Sequence, residues 1–274
     1  MFAVRIRFLV VILLAVVIVS CATQDTSSTQ NPSKTVVLVS GANEYFTNIS
    51  LRNYEQYLQK QHPEFNVIRL QATGNINEKD EYDDIPGLEI LQYADVALFF
   101  VRRTTIDGEQ LRYVKEFANS GKGIVALRTA SHGFQNWLEF DNVVLGGNYH
   151  MHYTGTPESP QIDCDTGVRH PTGSPVGPTL QLEVNQEFSD HPILDGVEDR
   201  WTSPYSLYRM SPVADDVSVL FTGTNSQGDG PEPVAWVRNY KGARIFFAAL
   251  GGLQDWENEN FVNMVTNAIV WAAR

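Results

Sequence analysis

Apolar and polar residues alternate along the chain in short blocks that are typical of strands and helices in turn. Residues 35–40 form a β-branched run before Gly41, and residues 94–101 form a fully apolar run. Continuous apolar runs of this length predict strands that are buried on both faces. Between them, residues 49–61 place their apolar side chains on one helical face, and residues 66–70 predict a further strand.

The same alternation continues toward the C-terminus. Residues 107–110 have the form of a capping box, so a helix is expected to begin there and to end at Gly121. A strand is predicted over 123–128. Later elements are expected as strands over 179–184, 217–222, 234–238 and 244–250, followed by a helix over 258–272. This order of strands and helices predicts an α/β fold with a mostly parallel central sheet covered on both faces.

The first twenty residues have the pattern of an export signal. Arg5 and Arg7 precede an uninterrupted apolar run over 8–19, which is too short to span a bilayer comfortably. The run ends in Ile-Val-Ser-Cys, and this sequence resembles a bacterial lipobox with Cys21 as the lipidated residue. An ordinary cleaved signal or a short anchor helix is the alternative.

The predicted signal divides the chain into three parts. Residues 1–20 are the expected lipoprotein signal peptide, 21–34 the lipidated cysteine with a Ser/Thr-rich tether, and 35–274 one domain. By resemblance to Gram-negative lipoproteins, Ala22 implies sorting to the outer membrane, facing the periplasm. The expected partners at this level are the membrane, through the lipid anchor, and a small molecule at the domain.

Composition narrows the class of protein. The chain has 274 residues, 43% of them hydrophobic, with 20 basic and 32 acidic side chains and a net charge of -12. An acidic surface repels phosphate backbones, so nucleic acid is not an expected partner. Cys164 is the only thiol besides Cys21, and no disulfide is expected. Residues 153–178 are rich in proline, which predicts a long functional loop.

Three polar segments follow predicted strands. In a parallel sheet, ligands bind beyond the carboxyl ends of the strands. Glu44 follows the first strand, His132 follows the strand that ends at Arg128, and His150 and His152 come shortly after. These side chains can transfer protons or bind metals, so this edge is the expected functional site.

Several motifs together resemble the ThuA-like (trehalose-utilisation) family. They are, in order, GKGIVALRTASHGF, LGGNYHMHYTG, HPILDGV, PVAWVRNYKGARIFFAALGG and NAIVWAA. The resemblance covers about residues 34–274 and implies the class I glutamine amidotransferase-like fold, a flavodoxin-like three-layer sandwich. It also implies a link to sugar metabolism.

Two positions depart from the wider superfamily. Arg128 stands where an amidotransferase carries its cysteine nucleophile, and a protonated guanidinium cannot attack a carbonyl. Glutaminase activity is therefore not expected. Many ThuA-like chains have Gly-His near the end of the last strand, whereas this chain has Gly251-Gly252. One candidate acid or base is thereby lost.

The remaining candidates each allow two interpretations. Arg128 is either an electrostatic clamp for the substrate or a partner of Glu44 that holds the turn. His132 is either the acid or base of the reaction or a buried structural imidazole. His150 and His152 either share a divalent metal ion, with His132 or Glu44 as third ligand, or bind a sugar by hydrogen bonds.

The leading hypothesis is an envelope-anchored enzyme acting on a sugar derivative, by hydrolysis or by elimination and hydration of an oxidised glycoside. Glu44 and His132 are the expected proton-transfer groups and Arg128 the clamp. The expected substrate-binding residues are Asn148, Tyr149, His150 and His152. The rival hypothesis is a non-catalytic carbohydrate-binding lipoprotein. The sequence establishes no cofactor, and a divalent metal ion at His150 and His152 is the one that it leaves open.

Overall fold

A computed structural model describes residues 34–74, 82–153 and 177–274 of the chain. The strands are β1 (Lys34–Gly41), β2 (Phe65–Gln71), β3 (Val96–Val101), β4 (Gly123–Leu127), β5 (Met151–His152), β6 (Leu180–Val184), β7 (Arg200–Ser203), β8 (Tyr208–Arg209), β9 (Ser218–Asn225), β10 (Glu232–Tyr240) and β11 (Ala243–Ala248). The α-helices are α1 (Thr47–Gln61), α2 (Gly108–Ala118) and α3 (Glu259–Ala272).

Nine strands form one sheet in the order β2-β1-β3-β4-β11-β10-β9-β6-β7. In this spatial order, neighbouring strands from β2 to β11 are parallel. Neighbouring strands from β11 to β7 are antiparallel. The predicted α/β, flavodoxin-like fold is confirmed, with a parallel half that is extended by an antiparallel half. The strands β5 and β8 form a separate small antiparallel pair.

The core lies between the parallel strands and the helices. Every residue of β3 and β4 is buried, as their continuous apolar runs predict. Phe99 of β3 packs its ring against Phe117 of α2 and against Phe134 and Phe140. Each fully buried phenylalanine contributes roughly 1.5–3 kcal/mol to stability, so this cluster fixes α2 and the segment after β4 on the sheet.

The predicted helices are confirmed with small differences at their ends. The Asp107 carboxylate accepts a hydrogen bond from the backbone N–H of Gln110 at 2.7 Å, so α2 begins at the predicted cap. Asn258 caps α3 in the same way, through the N–H of Asn260. Lys34, expected in the tether, is the first residue of β1.

Three short strands, β5, β7 and β8, were not predicted, because two to four residues are too few to show a period of two. The predicted signal peptide, Cys21 and most of the loop over 153–178 lie outside the described residues. Within the described ranges, the search for helices long and apolar enough to cross a membrane finds none.

Candidate functional site

Three neighbouring strands end at the same edge of the sheet. Gly41 at the end of β1 pairs with Val101 at the end of β3, and β4 lies directly beside β3. The residues that follow these strands include Glu44, Arg102 and Arg128, which are all buried. The edge predicted from the sequence to carry the chemistry therefore holds a cluster of charged side chains inside the protein.

Glu44 forms an ion pair with Arg102, the residue that follows β3. Their exposures are 4% and 3%, and neither is accessible as a surface group. Removing either partner would leave an isolated buried charge, which is costly. Glu44, predicted as a proton-transfer group or as a partner of Arg128, is thus placed against an arginine that the sequence reading did not consider.

Arg128 occupies the turn between β4 and the 3-10 segment Arg128–His132, with φ at 44°. This left-handed conformation is uncommon for a residue with a Cβ atom and is typical of strained functional turns. The residue is completely buried. Its Nη1 donates to the carbonyl oxygen of Ala249 at 3.0 Å, and its Nη2 donates to the Ser206 hydroxyl at 3.0 Å.

Three tyrosine rings surround the Arg128 guanidinium. Its Cζ lies 4.9 Å from the ring centre of Tyr45, 5.4 Å from that of Tyr205 and 4.7 Å from that of Tyr208. Such contacts stabilise a desolvated cation by attraction to the ring faces. Arg128 is therefore a fixed, buried positive charge in this part of the protein, and its role as an electrostatic clamp for the substrate stays a prediction.

His132 is half-buried at the end of the same 3-10 segment, and its ring stacks on that of Tyr149 at 4.3 Å. The Ser131 hydroxyl donates to the carbonyl oxygen of Arg128 at 3.2 Å and lies 3.1 Å from His132 Nδ1. Since a hydroxyl has one hydrogen, Ser131 accepts from Nδ1–H. This assignment leaves Nε2 as the basic nitrogen of the neutral ring.

The surroundings of His132 keep its imidazole neutral. Desolvation lowers its pKa well below the usual value, and the charges of Arg102, Arg103 and Arg128 lower the pKa further. Arg103, like Arg128, follows a strand in a left-handed conformation, with φ at 46°. A neutral histidine among three cations can accept a proton and has positive charge beside it for a developing anion.

The segment that carries Tyr149 is anchored by Asp141, which the sequence reading missed. Asp141 lies in the π-helical segment Phe140–Leu145, and its Oδ2 accepts the backbone N–H of Tyr149 at 2.8 Å. Its Oδ1 is buried beside Gly147 and has no hydrogen-bond partner among the described residues. Burial raises the pKa of Asp141 to about 7, although the Tyr149 N–H opposes that shift.

The other predicted ligand residues lie along this segment. Asn148 is half-buried, His150 is exposed, and His152 is half-buried in β5 opposite Tyr208. The His152 and Tyr208 rings stack at 6.4 Å. In the described part of the chain, no group of three or more His, Cys, Asp or Glu side chains is arranged to hold a metal ion. The predicted set of His150 and His152 with His132 or Glu44 is therefore not assembled.

Gly251 and Gly252 lie in the turn that packs against Tyr205 and Asp255. Their N–H groups donate to Asp255 Oδ2 at 2.9 and 3.0 Å, and Ser203 donates to Oδ1 at 2.7 Å. A Cβ at position 252 would overlap the ring of Tyr205. Tyr205 therefore fills the space at the position where many ThuA-like chains carry the histidine of their Gly-His pair.

Arg102, Arg103, Asp141 and Asp255 are the site residues that sequence reasoning missed. The two arginines had a signal, because they directly follow the fully apolar strand β3 and so stand at its carboxyl end. Asp141 and Asp255 had no such signal in the sequence. Their roles depend on contacts with segments that are distant in sequence or irregular in backbone.

Comparisons with known proteins agree with this fold. The family model described as ThuA, trehalose utilisation, matches residues 36–272. A ThuA-like protein from Parabacteroides merdae ATCC 43184 is similar in structure, with a TM-score of 0.62 at 18% identity over 88% of this chain and 90% of that one. A ThuA-like protein from Bacteroides uniformis ATCC 8492 has a TM-score of 0.62 at 16% identity, over 88% and 91%. No curated protein matches the sequence.

Proposed function

The chain belongs to the ThuA family, described as trehalose utilisation, and from that premise we propose that it cleaves an oxidised glycoside at the site containing His132. The proposed reaction is an elimination followed by hydration, which in net terms hydrolyses the glycosidic bond. The observation that carries the proposal is the neutral His132, with Nε2 as its basic nitrogen, beside three arginines.

The chemistry of a glycoside determines where the oxidised carbon must lie. The leaving oxygen is on C1, so the proton must leave from C2, and this C–H is acidic only if C3 is a carbonyl. His132 Nε2 takes the C2 proton, and the electron pair moves onto the C3 oxygen as an enolate. The enolate then re-forms the carbonyl, creates the C1–C2 double bond and expels the glycosidic oxygen.

The protonated His132 returns its proton to the expelled oxygen, which leaves as an alcohol. Water then adds across the double bond, with its hydroxyl on C1 and its hydrogen on C2, and a free keto sugar results. The positive charges of Arg102, Arg103 and Arg128 favour the enolate over the neutral ketone. Because these charges are held in place before the reaction, little reorganisation is needed as the anion forms.

Sugar contacts are assigned to the segment after the π-helical turn. Tyr149 is stacked on His132, and we assign to its aromatic ring the contact with a pyranose ring of the substrate. Asn148, His150 and His152 supply hydrogen-bonding groups on the same segment. Asp141 is a positioning residue in this scheme, since its carboxylate holds the Tyr149 backbone.

The proposed enzyme has no glutaminase activity. Arg128 occupies the strained turn at which an amidotransferase needs a thiol, and its donors are engaged by Ala249 and Ser206. A guanidinium in that position cannot form the thioester intermediate.

The test is turnover of methyl glucoside oxidised to a ketone at C3, followed by NMR. The wild type is expected to release methanol, and His132→Gln is expected to be about a hundredfold slower or more, as for loss of a general base. His191→Gln, in a cavity lined by α3 residues, is the control and should retain the wild-type rate. Full turnover in His132→Gln would contradict the mechanism. Saturable binding without turnover would instead support a carbohydrate-binding lipoprotein.

The proposed place of this activity is the cell envelope. The lipobox-like sequence before Cys21 and the polar residues after it support a lipid anchor with the domain held on a tether. The preferred site is the periplasmic face of the outer membrane, because Ala22 follows the cysteine.

A further inference from the structure

A cavity of about 230 Å³ lies between α1 and the turn that follows β11. Its lining includes Ser50, Tyr54 and Tyr57 from α1 and Leu253, Trp256 and Glu257 from the turn. We propose that this cavity is a second sugar subsite, which binds a pyranose ring of the glycoside or its leaving group. The proposal rests on the proposed function, because it gives the same class of carbohydrate ligand a second binding site besides the one at His132.

Aromatic rings form one side of the cavity. Tyr54 and Tyr57 are stacked at 5.9 Å, and the Tyr54 ring lies 4.9 Å from that of Trp256. Tyr57 and Trp256 are only partly buried, so part of each side chain faces solvent. The C–H faces of a pyranose are apolar and pack on such rings, and aromatic side chains are large, rigid contact surfaces.

Polar groups lie around the aromatic surface. Ser50 is 3% exposed, and its hydroxyl has no hydrogen-bond partner among the described residues. A buried polar atom without a partner is costly and calls for an explanation. Asn53 and Glu257, both exposed, add an amide and a carboxylate at the rim. A ring that presents several hydroxyls can satisfy a hydroxyl, an amide and a carboxylate together.

Hydrogen bonds connect this cavity to the first site. Trp256 Nε1 donates to the carbonyl oxygen of Gly251 at 3.1 Å, and the N–H of Gln254 donates to the Tyr205 hydroxyl at 3.0 Å. Tyr205 is one of the rings around Arg128. The turn over 251–257 therefore contacts the buried tyrosines around Arg128 through Gln254 and lines the aromatic cavity through Trp256, so occupation of the cavity is linked to the packing around Arg128.

The size of the cavity restricts its occupant. Sites for drug-sized ligands have volumes of about 300–1,000 Å³, and this cavity is smaller. It suits one sugar ring. The combination of stacked rings with three different polar groups favours a polyhydroxylated ring over a quaternary ammonium, for which aromatic faces and negative charge alone suffice.

The experiment measures binding of methyl glucoside, methyl galactoside and methyl mannoside to residues 22–274 by ligand-detected NMR. At least one glycoside is expected to bind the wild type, and Trp256→Ala is expected to weaken that binding about tenfold. Trp271→Ala is the matched control, since Trp271 is a partly buried tryptophan in a different cavity. It should bind the glycoside as the wild type does.

Ser50→Ala gives a readout that a purely structural role would not produce. It removes a buried hydroxyl that has no protein partner, so the melting temperature of the free protein should hold or rise. Glycoside binding should nevertheless weaken about fivefold, the usual loss for one hydrogen bond. Weaker binding with unchanged stability would support the subsite.

Three results would overturn the subsite: no glycoside binding to the wild type, equal binding in folded Trp256→Ala, or displacement of the glycoside by tetramethylammonium in a manner that depends on Glu257. Failure of the proposed function looks different. In that case the oxidised glucoside is not turned over, while binding that depends on Trp256 persists in the wild type and in His132→Gln.

Discussion

At the scale of single residues, the charge state of His132 depends on its burial and on the cations around it. Arg103 is one of three arginines whose charge lowers the pKa of His132, and it is the only half-exposed one. Arg103→Gln should therefore raise the His132 pKa toward its usual range. The measurement is an NMR titration of the imidazole C–H signals.

Arg200→Gln is the control for this titration, because Arg200 lies on β7 and pairs with Glu183 at the other end of the sheet. It should leave the His132 titration unchanged. An equal pKa of His132 in the wild type and in Arg103→Gln would mean that the Arg103 charge does not contribute to the shift.

The raised pKa of Asp141 predicts that the stability of the fold depends on pH. Its pKa is about 7 in the folded chain against a usual 3.8, so the folded state retains the proton that the unfolded chain loses. Stability from this group is full below about pH 4 and is lost as the pH rises to about 7. Three pKa units correspond to about 4 kcal/mol.

Asp141→Asn tests this dependence, because an amide retains an oxygen that can accept the Tyr149 N–H and carries no charge. Over pH 4–8, the free energy of unfolding of the variant should fall less than that of the wild type, as measured by urea denaturation. Parallel curves for the two proteins would show that Asp141 ionises normally.

At the scale of elements, the turn after β11 is shaped by a tyrosine. The Tyr205 ring occupies the space in which a side chain at position 252 would stand, and Asp255 binds both glycine N–H groups. Gly252→Ala should therefore destabilise the protein by about 1–3 kcal/mol, the usual cost of overpacking.

Thermal unfolding measures that cost, with Gly108→Ala as the control. Gly108 begins α2, and a Cβ there meets no atom within 4 Å. Its substitution should be neutral or slightly stabilising. Equal melting temperatures for Gly252→Ala and the wild type would mean that Tyr205 moves aside easily.

The elements also show what a sequence can predict. Long apolar runs such as β3 and β4, and capped amphipathic helices such as α2, were found because their signals are local. The neighbour of β4 was not predictable, since β11 arrives from more than a hundred residues later in the chain. The edge that holds the site is predictable from the sequence, because parallel strands end at the same edge of a sheet. The partners of Glu44 and Arg128 are not predictable, because they depend only on how distant segments pack together.

At the scale of the whole molecule, a cationic site lies inside an acidic protein. The chain carries 32 acidic and 20 basic side chains, yet Arg102, Arg103 and Arg128 gather beside one histidine. Such a local reversal of charge favours an anion that forms beside His132.

The proposed envelope location is tested on the full-length chain. Full-length protein expressed in a Gram-negative bacterium should be found in the membrane fraction, and Cys21→Ser should release it or leave the signal uncleaved. Cys164→Ser, the other thiol, should remain membrane-bound. Mass spectrometry of the mature N-terminus would show the lipid. An unmodified, soluble wild type would contradict the anchor.

The central claim is that His132 removes a proton from carbon beside a carbonyl. The most direct measurement is deuterium incorporation at C2 of methyl glucoside oxidised at C3, with the protein in D₂O and mass spectrometry of recovered sugar and product. We expect deuterium at C2 with the wild type and background incorporation with His132→Gln. Product that forms without deuterium at C2, or equal exchange in the two proteins, would contradict it.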